Sequence, residues 1–439
     1  YPLRRQRQMC IRDSNTILPL SEKLGLVYCG STDQFVIYKR ALTPLLESIS
    51  ADQLAIEAPS LYAELVRGGG IVNDEENEFV KLKRLADEIE CSPKTYRLIL
   101  NPTMDCNFKC WYCYENHITG SKMSTEVLNR VLLMISRIIR TQKDLEFFDL
   151  SFFGGEPLLY YDEIVRPILD HCRQECQRFG VHLLVNFTSN GYLINDKKIA
   201  HLTEKDELKS FQITLDGNRE RHDKTRFPLR GEGSYNIILT NVKRLLDCGI
   251  EVILRINYTA SNILSVKDAL NDINTIDEKK RKLLTISFHR VWQDRRIQNL
   301  SDSIVTDIVE LFRKEFPNVG DAFSINNLRN PCYADKVYEA VVNYDGNVFK
   351  CTARDFSSEN KSGILSNDGN IIWTENINSR RKTKLSRQIC RKCRILLLCG
   401  GSCSQKAIES NGEEICLEGL DNEDMDRVVM QRFYDCNIG

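Results

Sequence analysis

The sequence has no apolar run long enough to cross a bilayer, which takes about 20 consecutive apolar residues in a helix. It also has no excess of charge of one sign, because 60 Lys and Arg stand against 61 Asp and Glu, for a formal net charge of −1. No global field would therefore recruit nucleic acid or an anionic membrane. Its 439 residues, 42% of them hydrophobic, predict a globular protein of two or three domains.

Cysteine is present in unusual amount, with 17 in the chain. A disulfide-rich secreted scaffold would be short and rich in loops, and this chain is neither. The cysteines lie in clusters with spacings typical of reduced thiolates that hold metal. We therefore expect a cytoplasmic protein.

The first fourteen residues contain several arginines and no acid before Asp13, and no hydrophobic signal core follows them. The string resembles the translation of a sequencing adaptor fused to a reading frame. We therefore exclude residues 1–14 from the fold, and a basic targeting arm is the alternative.

Residues 15–94 predict a small α+β unit. Strands at Leu26–Tyr28 and Gln34–Tyr38 precede helices at Leu42–Ile49 and Leu61–Arg67. This order resembles the winged-helix elements with which peptide-modifying enzymes hold the leader of a precursor. A capping unit that packs on the next domain is the alternative.

Residues 95–319 show repeated strand–helix alternation, which predicts an α/β fold with a parallel sheet. In such folds the ligand site lies at the carboxyl ends of the strands. The predicted strands are Arg97–Leu100, Phe148–Phe153, Leu183–Thr188, Ser210–Leu215, Val252–Tyr258 and Leu284–Phe288.

A cysteine triplet follows the first of these strands. Cys106, Cys110 and Cys113 form C-x3-C-x2-C, with Tyr112 before the last cysteine. A [4Fe–4S] cluster usually takes four thiolates, so three leave one iron open, whereas zinc favours four closed ligands. The motif resembles the signature of the radical S-adenosylmethionine (SAM) enzymes, and three core cysteines in a loop are the alternative.

This resemblance implies a partial (β/α)6 barrel and a defined chemistry. The open iron binds SAM, and Tyr112 belongs to the cofactor-binding signature. An electron from a reduced flavodoxin- or ferredoxin-like donor then leads to cleavage of SAM, and the 5′-deoxyadenosyl radical takes a hydrogen from the substrate. The protein positions the target and keeps water out.

The second strand ends in Gly154, Gly155 and Glu156. Two glycines let backbone approach a ligand closely, and a carboxylate can accept hydrogen bonds from an ammonium group. The resemblance implies that this stretch holds the amino group of SAM.

The third and fourth strands end in further polar residues. The resemblance implies that Asn190 contacts SAM, although a tight turn is the alternative. It assigns Thr214 to the ribose and Arg226 to the carboxylate of SAM, and Thr214 stands where Ser is common. His222 is as well suited to capping a loop, so the sequence names no catalytic acid or base.

Residues 320–439 predict a cysteine-rich module and a C-terminal tail. Its spacing, which includes C-x2-C-x5-C-x3-C, resembles the SPASM module, which holds auxiliary [4Fe–4S] clusters in enzymes that act on peptides and proteins. The resemblance assigns one closed cluster to Cys390, Cys393, Cys399 and Cys416. It assigns three corners of another, with an open fourth ligand, to Cys332, Cys351 and Cys403. A zinc ribbon at Cys390 and Cys393 is the alternative, and the other seven cysteines are interpreted as buried thiols.

Eight basic residues and no acid lie between Arg380 and Arg394. Such charge is favourable near a negatively charged cluster and would attract an acidic peptide leader. The run has no interleaved aromatic residues, so nucleic-acid binding is the weaker interpretation.

The sequence thus predicts a radical SAM enzyme that acts on a ribosomally made peptide and forms a thioether or carbon–carbon link. The alternative is an anaerobic sulfatase-maturing enzyme, which oxidises Cys or Ser to formylglycine. That relative typically has Asp after the cysteine corresponding to Cys351, where this chain has Thr352, with Asp355 further on. A non-catalytic zinc or iron–sulfur scaffold is the alternative of another class.

Overall fold

The structure, a computed structural model, describes residues 15–48, 50–71, 77–205, 207–231, 233–294, 302–320, 328–374, 380, 383 and 385–438. The interpretation of residues 1–14 lies outside these residues. The chain forms two compact units. The first comprises Tyr1–Ser92, Ile325–Val337 and Glu375–Gly439, and the second comprises Pro93–Ser324 and Tyr338–Thr374.

In its described N-terminal residues, the first unit contains a three-stranded antiparallel sheet and four α-helices. The strands, in sheet order, are β1 (Asn15–Pro19), β2 (Leu24–Cys29) and β3 (Gln34–Lys39). The helices are α1 (Thr43–Ser48), α2 (Ala51–Glu57), α3 (Pro59–Gly68) and α4 (Glu78–Glu90). Two of the strands and helices α1 and α3 agree with the sequence analysis, which missed β1, α2 and α4.

The second unit is built on one large, mostly parallel sheet. Its first six strands are β4 (Thr95–Leu100), β5 (Phe147–Phe152), β6 (His182–Ser189), β7 (Leu208–Leu215), β8 (Glu251–Tyr258) and β9 (Leu284–Arg290). They lie side by side in chain order and are parallel, as the sequence predicts. The remaining strands are β10 (Val319–Gly320), β11 (Glu339–Val342), β12 (Asn347–Phe349), β13 (Gly363–Leu365) and β14 (Ile371–Trp373).

Helices connect the parallel strands. They are α5 (Thr125–Thr141), α6 (Arg166–Phe179), α7 (Asp196–Leu202), α8 (Arg219–Thr225), α9 (Tyr235–Asp247), α10 (Ile263–Ile273) and α11 (Asp302–Glu315). Ser124 caps α5 by accepting a hydrogen bond from the N–H of Val127, and the helix buries Val131 and Ile135 four residues apart. Gly180 ends α6 with φ 69°, a left-handed conformation that glycine adopts without a Cβ clash.

The C-terminal part of the first unit adds three short α-helices and one terminal α-helix that lie wholly within the described residues. They are α12 (Gln388–Arg391), α13 (Leu396–Cys399), α14 (Ser404–Glu409) and α15 (Asn422–Ile438). Leu18 and Tyr28 of the N-terminal sheet share a buried cluster with Ile395, Leu398 and Val429. The two ends of the chain therefore form one hydrophobic core.

These units divide the chain differently from domains of 15–94, 95–319 and 320–439. β11 pairs in parallel with β4, and β12 to β14 extend the same sheet by antiparallel pairing. Residues 338–374, assigned from sequence to the C-terminal module, therefore belong with the parallel sheet.

The two faces of β4–β9 differ in polarity because alternate side chains point to opposite faces. One face packs on the helices through buried side chains such as Phe148, Val185 and Leu254. The opposite face is mostly polar, with Ile99, Leu184 and Ile253 as apolar exceptions, and we call it the polar face. The residues that alternate with that core include Arg97, Asp149, Ser151, Asn186, Thr188, Ser210, Gln212, Thr214, Arg255, Asn257, Ser287 and His289.

In the described part of the chain, no helix is long and apolar enough to cross a membrane. Of the cysteines outside the predicted cluster sets, Cys29, Cys172 and Cys176 are buried, as expected. Cys248 and Cys436 are exposed instead, because each lies at or near the end of a surface helix. Cys10 lies outside the described residues.

Candidate active site

The three cysteines of the triplet lie on one loop between β4 and α5. The N–H of Phe108 donates to Cys106 Sγ at 3.4 Å, and the N–H of Glu115 donates to the sulfur of Cys113. Burial raises the pKa of all three thiols, that of Cys113 to about 11, and Cys110 adds to the increase at its two partners. Neighbouring thiols that accept hydrogen bonds from backbone N–H groups are suited to hold an iron–sulfur cluster. The irons would bind the sulfurs as thiolates, after the thiols lose their protons.

Two glycines hold this loop against the end of β5. The N–H of Gly155 donates to Thr103 O at 3.1 Å, and the N–H of Glu156 donates to Asp105 O at 2.8 Å. A Cβ on Gly154 would lie 2.5 Å from Thr103 O, and one on Gly155 would lie 2.2 Å from Asp105 O. The sequence predicts that these glycines let a ligand approach the backbone. In the structure they let the backbone of the cysteine loop approach instead, because a side chain at either position would displace that loop.

Glu156 ties the ends of β5 and β6 together. Its carboxylate is fully buried and accepts hydrogen bonds from Leu158 N at 3.0 Å, Ser189 Oγ at 2.9 Å and Asn190 N at 2.8 Å. Burial raises the pKa of this carboxyl, and the three donors oppose the increase. A carboxylate has about four acceptor positions, so at most about one remains for a ligand.

Asn190 orients the cysteine loop from the end of β6. Its Nδ2 donates to Asn107 Oδ1 at 2.8 Å, and its Oδ1 accepts from Tyr192 N at 2.9 Å. The same Nδ2 lies 4.0 Å from Cys106 Sγ. The structure thus gives the side chain of Asn190 protein partners beside the first thiol.

Tyr112 is the centre of a polar cluster that joins the loop to β7 and β8. Its hydroxyl donates to Asp216 Oδ2 at 2.6 Å and accepts from Arg226 Nη1 at 2.9 Å and Asn257 Nδ2 at 3.2 Å. Burial raises the pKa of Asp216 to about 6, an increase that Arg226 opposes.

This cluster is incompletely paired. Asp216 Oδ1 and Arg226 Nε are buried without a hydrogen-bond partner in the described part of the chain. Buried polar atoms are rarely left unsatisfied, so one acceptor and one donor here fit a ligand that carries both an ammonium and a carboxylate group. SAM carries both groups, which makes these residues suited to it.

Asp216 and Asn257 were not predicted from the sequence. The sequence offered one indication of a role for Asp216, which is its position between Thr214 and Arg226, the two residues assigned to SAM. For Asn257 the sequence indicated only that it lies on a strand whose alternate residues are apolar, which does not predict a role in the site.

Thr214 lies on the polar face of β7, where its backbone pairs with Arg255 of β8. His222 has a structural role. Its Nδ1 accepts from the N–H of Asp216 at 3.2 Å, and its Nε2 lies 2.9 Å from Ser234 Oγ. Burial, with Arg226 adding to it, holds the pKa of His222 well below its usual range, so the ring is neutral and caps the strand end.

The four cysteines assigned from sequence to a closed auxiliary cluster interact with one another in the first unit. Burial raises the pKa of Cys390, and the neighbouring thiols of Cys393 and Cys416 add to the increase. Burial also raises the pKa of Cys399 to about 12, and the nearby thiols of Cys390 and Cys393 add to the increase. Backbone N–H groups of Ile395 and Ser402 donate to Cys393 and Cys399, respectively.

The remaining three predicted ligands are divided between the units. Cys332 and Cys403 belong to the first unit, and Cys351 belongs to the second. The N–H of Ala353 donates to Cys351 Sγ at 3.3 Å. A cluster held by these three cysteines stays a prediction.

Among the described residues, no three Cys, His, Asp or Glu side chains are close enough to hold a single metal ion.

Curated relatives match part of the chain. It is 27% identical over 157 residues to the cysteine-type anaerobic sulfatase-maturating enzyme of Clostridium novyi, which covers 35% of this chain and 41% of the relative. It is 29% identical over 160 residues to the radical SAM cyclopropyl synthase TigE of Paramaledivibacter caminithermalis, which covers 32% of each. The matches thus span less than half the length of either relative.

Solved structures share the fold. The anSMEcpe structure with bound AdoMet has a TM-score of 0.55 at 18% identity, covering 78% of this chain and 96% of that one. Streptococcus suis SuiB bound to the precursor peptide SuiA has a TM-score of 0.51 at 14% identity, covering 90% and 96%. Identities this low show likeness of fold alone.

Residues 100–273, which contain the cysteine triplet, the glycine pair and Arg226, match the Radical SAM superfamily. The chain therefore contains a radical SAM domain.

Proposed function

We propose that the protein is a radical SAM maturase of a ribosomally made peptide and that it forms a thioether or carbon–carbon link. One observation carries the proposal. Three neighbouring thiols lie on a loop whose Tyr112 contacts the incompletely paired side chains of Asp216 and Arg226. Such a loop can hold a cluster with an open iron and bind an amino acid cofactor beside it.

In this proposal Cys106, Cys110 and Cys113 hold a [4Fe–4S] cluster next to the SAM site. A reduced cluster held there together with SAM would supply the radical chemistry that removes hydrogen from the substrate. The protein provides the positions. Arg226 binds the SAM carboxylate, and Thr214 on the polar face is the hydroxyl for the ribose.

Tyr112 and Asp216 complete the amino acid site. Tyr112 fixes the Arg226 guanidinium through its hydroxyl, and the free oxygen of Asp216 accepts from the SAM ammonium group. Glu156 has one acceptor position left, so its main role is to hold the backbone that surrounds this group. The overall change balances, since SAM, a peptide C–H and a peptide S–H become methionine, 5′-deoxyadenosine, a thioether and a proton.

Exposed apolar side chains on the cysteine loop and on the segments after α8 and β9 support the proposal of a peptide substrate. Trp111 and Trp292 are 54% and 63% exposed, and Phe227 and Leu229, next to Arg226, are also exposed. Exposed aromatic residues around a polar site are typical of surfaces that bind peptides. Relatives of this fold have been solved with peptides, which include SuiB with SuiA and anSMEcpe with Cp18Cys peptide.

We further propose that Cys390, Cys393, Cys399 and Cys416 hold a closed auxiliary cluster, and that Cys332, Cys351 and Cys403 hold part of another, as in a SPASM module. The N-terminal sheet and helices are proposed to bind a precursor leader. A reduced flavodoxin- or ferredoxin-like protein is the proposed electron donor in the cytosol.

Formation of formylglycine is a second candidate because of Asp355. Its Oδ2 lies 3.5 Å from Asn116 Nδ2 on the cysteine loop, so a carboxylate faces the site although Thr352 replaces the expected Asp. Asn360 Nδ2 donates to the other oxygen at 2.7 Å and restrains it.

Mass spectrometry of peptide products distinguishes the candidates. Reconstituted enzyme, SAM and dithionite are incubated anaerobically with cysteine-containing precursor peptides encoded beside the gene and, separately, with a sulfatase peptide. The maturase proposal expects loss of two hydrogens from a precursor, with the Cys106→Ala, Cys110→Ala, Cys113→Ala variant inactive. An aldehyde in the sulfatase peptide alone would favour formylglycine formation. Cleavage of SAM with neither peptide changed would contradict both.

A further inference from the structure

Arg255 is a cation on the polar face without a carboxylate partner. No carboxylate lies within 4.0 Å of its guanidinium in the described part of the chain, whereas Arg97 on the same face is paired with Asp149 at 2.6 Å. The Nε of Arg255 donates to Asn257 Oδ1 at 2.8 Å, and its terminal nitrogens donate to no described protein group. Four N–H donors are therefore left for a ligand.

The neighbours of Arg255 on the two adjacent strands are short and polar. Its backbone pairs with Thr214 on one side and Ser287 on the other, and Ser287 Oγ lies 3.0 Å from His289 Nε2. The interior of a closed parallel barrel is instead filled with branched apolar side chains. This part of the polar face is thus built to be solvated or to bind a polar group.

The charges favour an anion. Burial lowers the pKa of His289 to about 4, and the neighbouring guanidinium adds to the decrease, so this ring is neutral. Arg255 interacts electrostatically with Tyr114, Tyr112 and Asp216. The carboxyl of Asp216 already accepts a hydrogen bond from Tyr112 and also interacts with Arg226. One positive charge in this part of the site is not balanced by the described residues.

The site is close to the proposed chemistry. Asn257 accepts from Arg255 and donates to the hydroxyl of Tyr112 at 3.2 Å, so two hydrogen bonds join the guanidinium to the residue before Cys113. An anion held by Arg255 would lie beside the SAM site, where a reacting peptide must lie.

We propose that Arg255 binds a carboxylate of the peptide substrate near the reacting residue. This inference rests on the proposed peptide maturase function and names the chemistry of its substrate. Planar bidentate contact with the guanidinium would fix the peptide, since carboxylates match its paired donors. The structure thereby assigns a specificity role to a residue that the sequence did not single out.

Selection from a peptide pool tests the assignment. The probe is a pool of short peptides with a central Cys and randomised neighbours, in C-terminally free and amidated forms, incubated with reduced enzyme and SAM. Modified peptides are sequenced by mass spectrometry. We expect enrichment of Asp or Glu of about tenfold or more at one position, the size of a charge-assisted hydrogen bond. A preference restricted to free C termini would identify the terminal carboxylate as the ligand.

Variants define the contact independently of rate. Arg255→Lys should keep the acidic preference, Arg255→Gln should lose it, and Arg255→Glu should select Lys or Arg at the same position. Lys267→Glu, the same charge change at an exposed site on α10, is the control and should select as the parent does. Modified peptides without acidic enrichment, or an unchanged preference in Arg255→Glu and Arg255→Gln, would overturn the inference alone. A pool in which no peptide is modified although SAM is cleaved would contradict the proposed function itself.

Discussion

At the residue scale, the hydroxyl of Tyr112 connects three elements that are far apart in sequence. Tyr112 and Asp216 are 104 residues apart, and Tyr112 and Asn257 are 145 apart. The triplet spacing could be read from the sequence because its ligands lie within eight residues of one loop. The Tyr112 cluster could not, because only the folded sheet brings the strand ends together.

Tyr112→Phe should weaken SAM binding about tenfold without loss of iron. The change removes an acceptor from Arg226 and a donor from Asp216, and the looser orientation of these two groups should cost SAM binding on the order of 1–2 kcal/mol in total. The measurement is the SAM dissociation constant together with iron per chain. Tyr192→Phe is the matched control, since that ring packs on Phe108 at 5.5 Å in the same region.

His289 should make the protein less stable as the pH falls from about 6.5 to 4. Its folded pKa is lowered to about 4 by burial and then by Arg255, so the unfolded state binds the proton first and stability is lost on acidification. The loss reaches about 2 kcal/mol at pH 5. Thermal unfolding between pH 7 and 5 should therefore show a smaller decrease for His289→Gln than for the parent, with exposed His182→Gln as control. Equal losses of thermal stability in the parent and in His289→Gln would contradict the lowered pKa of His289.

At the element scale, the sheet and the cysteine loop are joined by backbone contact at a point where no side chain fits. The six parallel strands could be predicted, because apolar runs of five to eight residues separated by amphipathic helices have a distinct pattern. β11 could not, because its four residues become a strand only by pairing with β4, more than 230 positions away in the chain.

Gly155→Ala should displace the cysteine loop and lose the first cluster. The added Cβ would lie 2.2 Å from Asp105 O, a backbone atom that cannot rotate away. We expect destabilisation by about 1–3 kcal/mol and loss of roughly a third of the bound iron. The comparison is iron per chain in Gly320→Ala, whose Cβ would meet Ile286 O at an ordinary 3.6 Å. Full iron content in Gly155→Ala would mean that the loop adapts freely.

At the scale of the whole molecule, the N-terminal sheet is part of the core that surrounds the C-terminal cysteines. The sequence suggested a leader-binding unit, with a capping unit that packs on the next domain as the alternative. The shared cluster of Leu18, Tyr28 and Val429 with the α13 residues shows that it is not independent. Packing between segments so far apart in the chain leaves no pattern in either segment, so this shared core could not be predicted from the sequence.

Deletion of residues 15–90 should therefore reduce auxiliary iron as well as precursor affinity. Each apolar side chain exposed in the remaining core costs about 1.5–3 kcal/mol. Iron per chain and the SAM-cluster electron paramagnetic resonance spectrum would be compared with those of the parent. We expect the SAM-cluster signal to remain, because that loop lies in the other unit. Retention of all iron would show that the C-terminal module folds without the N-terminal sheet.

The most direct test of the central claim is reductive cleavage of SAM. Anaerobically reconstituted protein should hold on the order of twelve irons and, with dithionite and SAM, release 5′-deoxyadenosine and methionine. The Cys106→Ala, Cys110→Ala, Cys113→Ala variant should keep about eight irons and form neither product. A parent protein that binds zinc in place of iron, or a triple variant that still forms 5′-deoxyadenosine, would contradict the account.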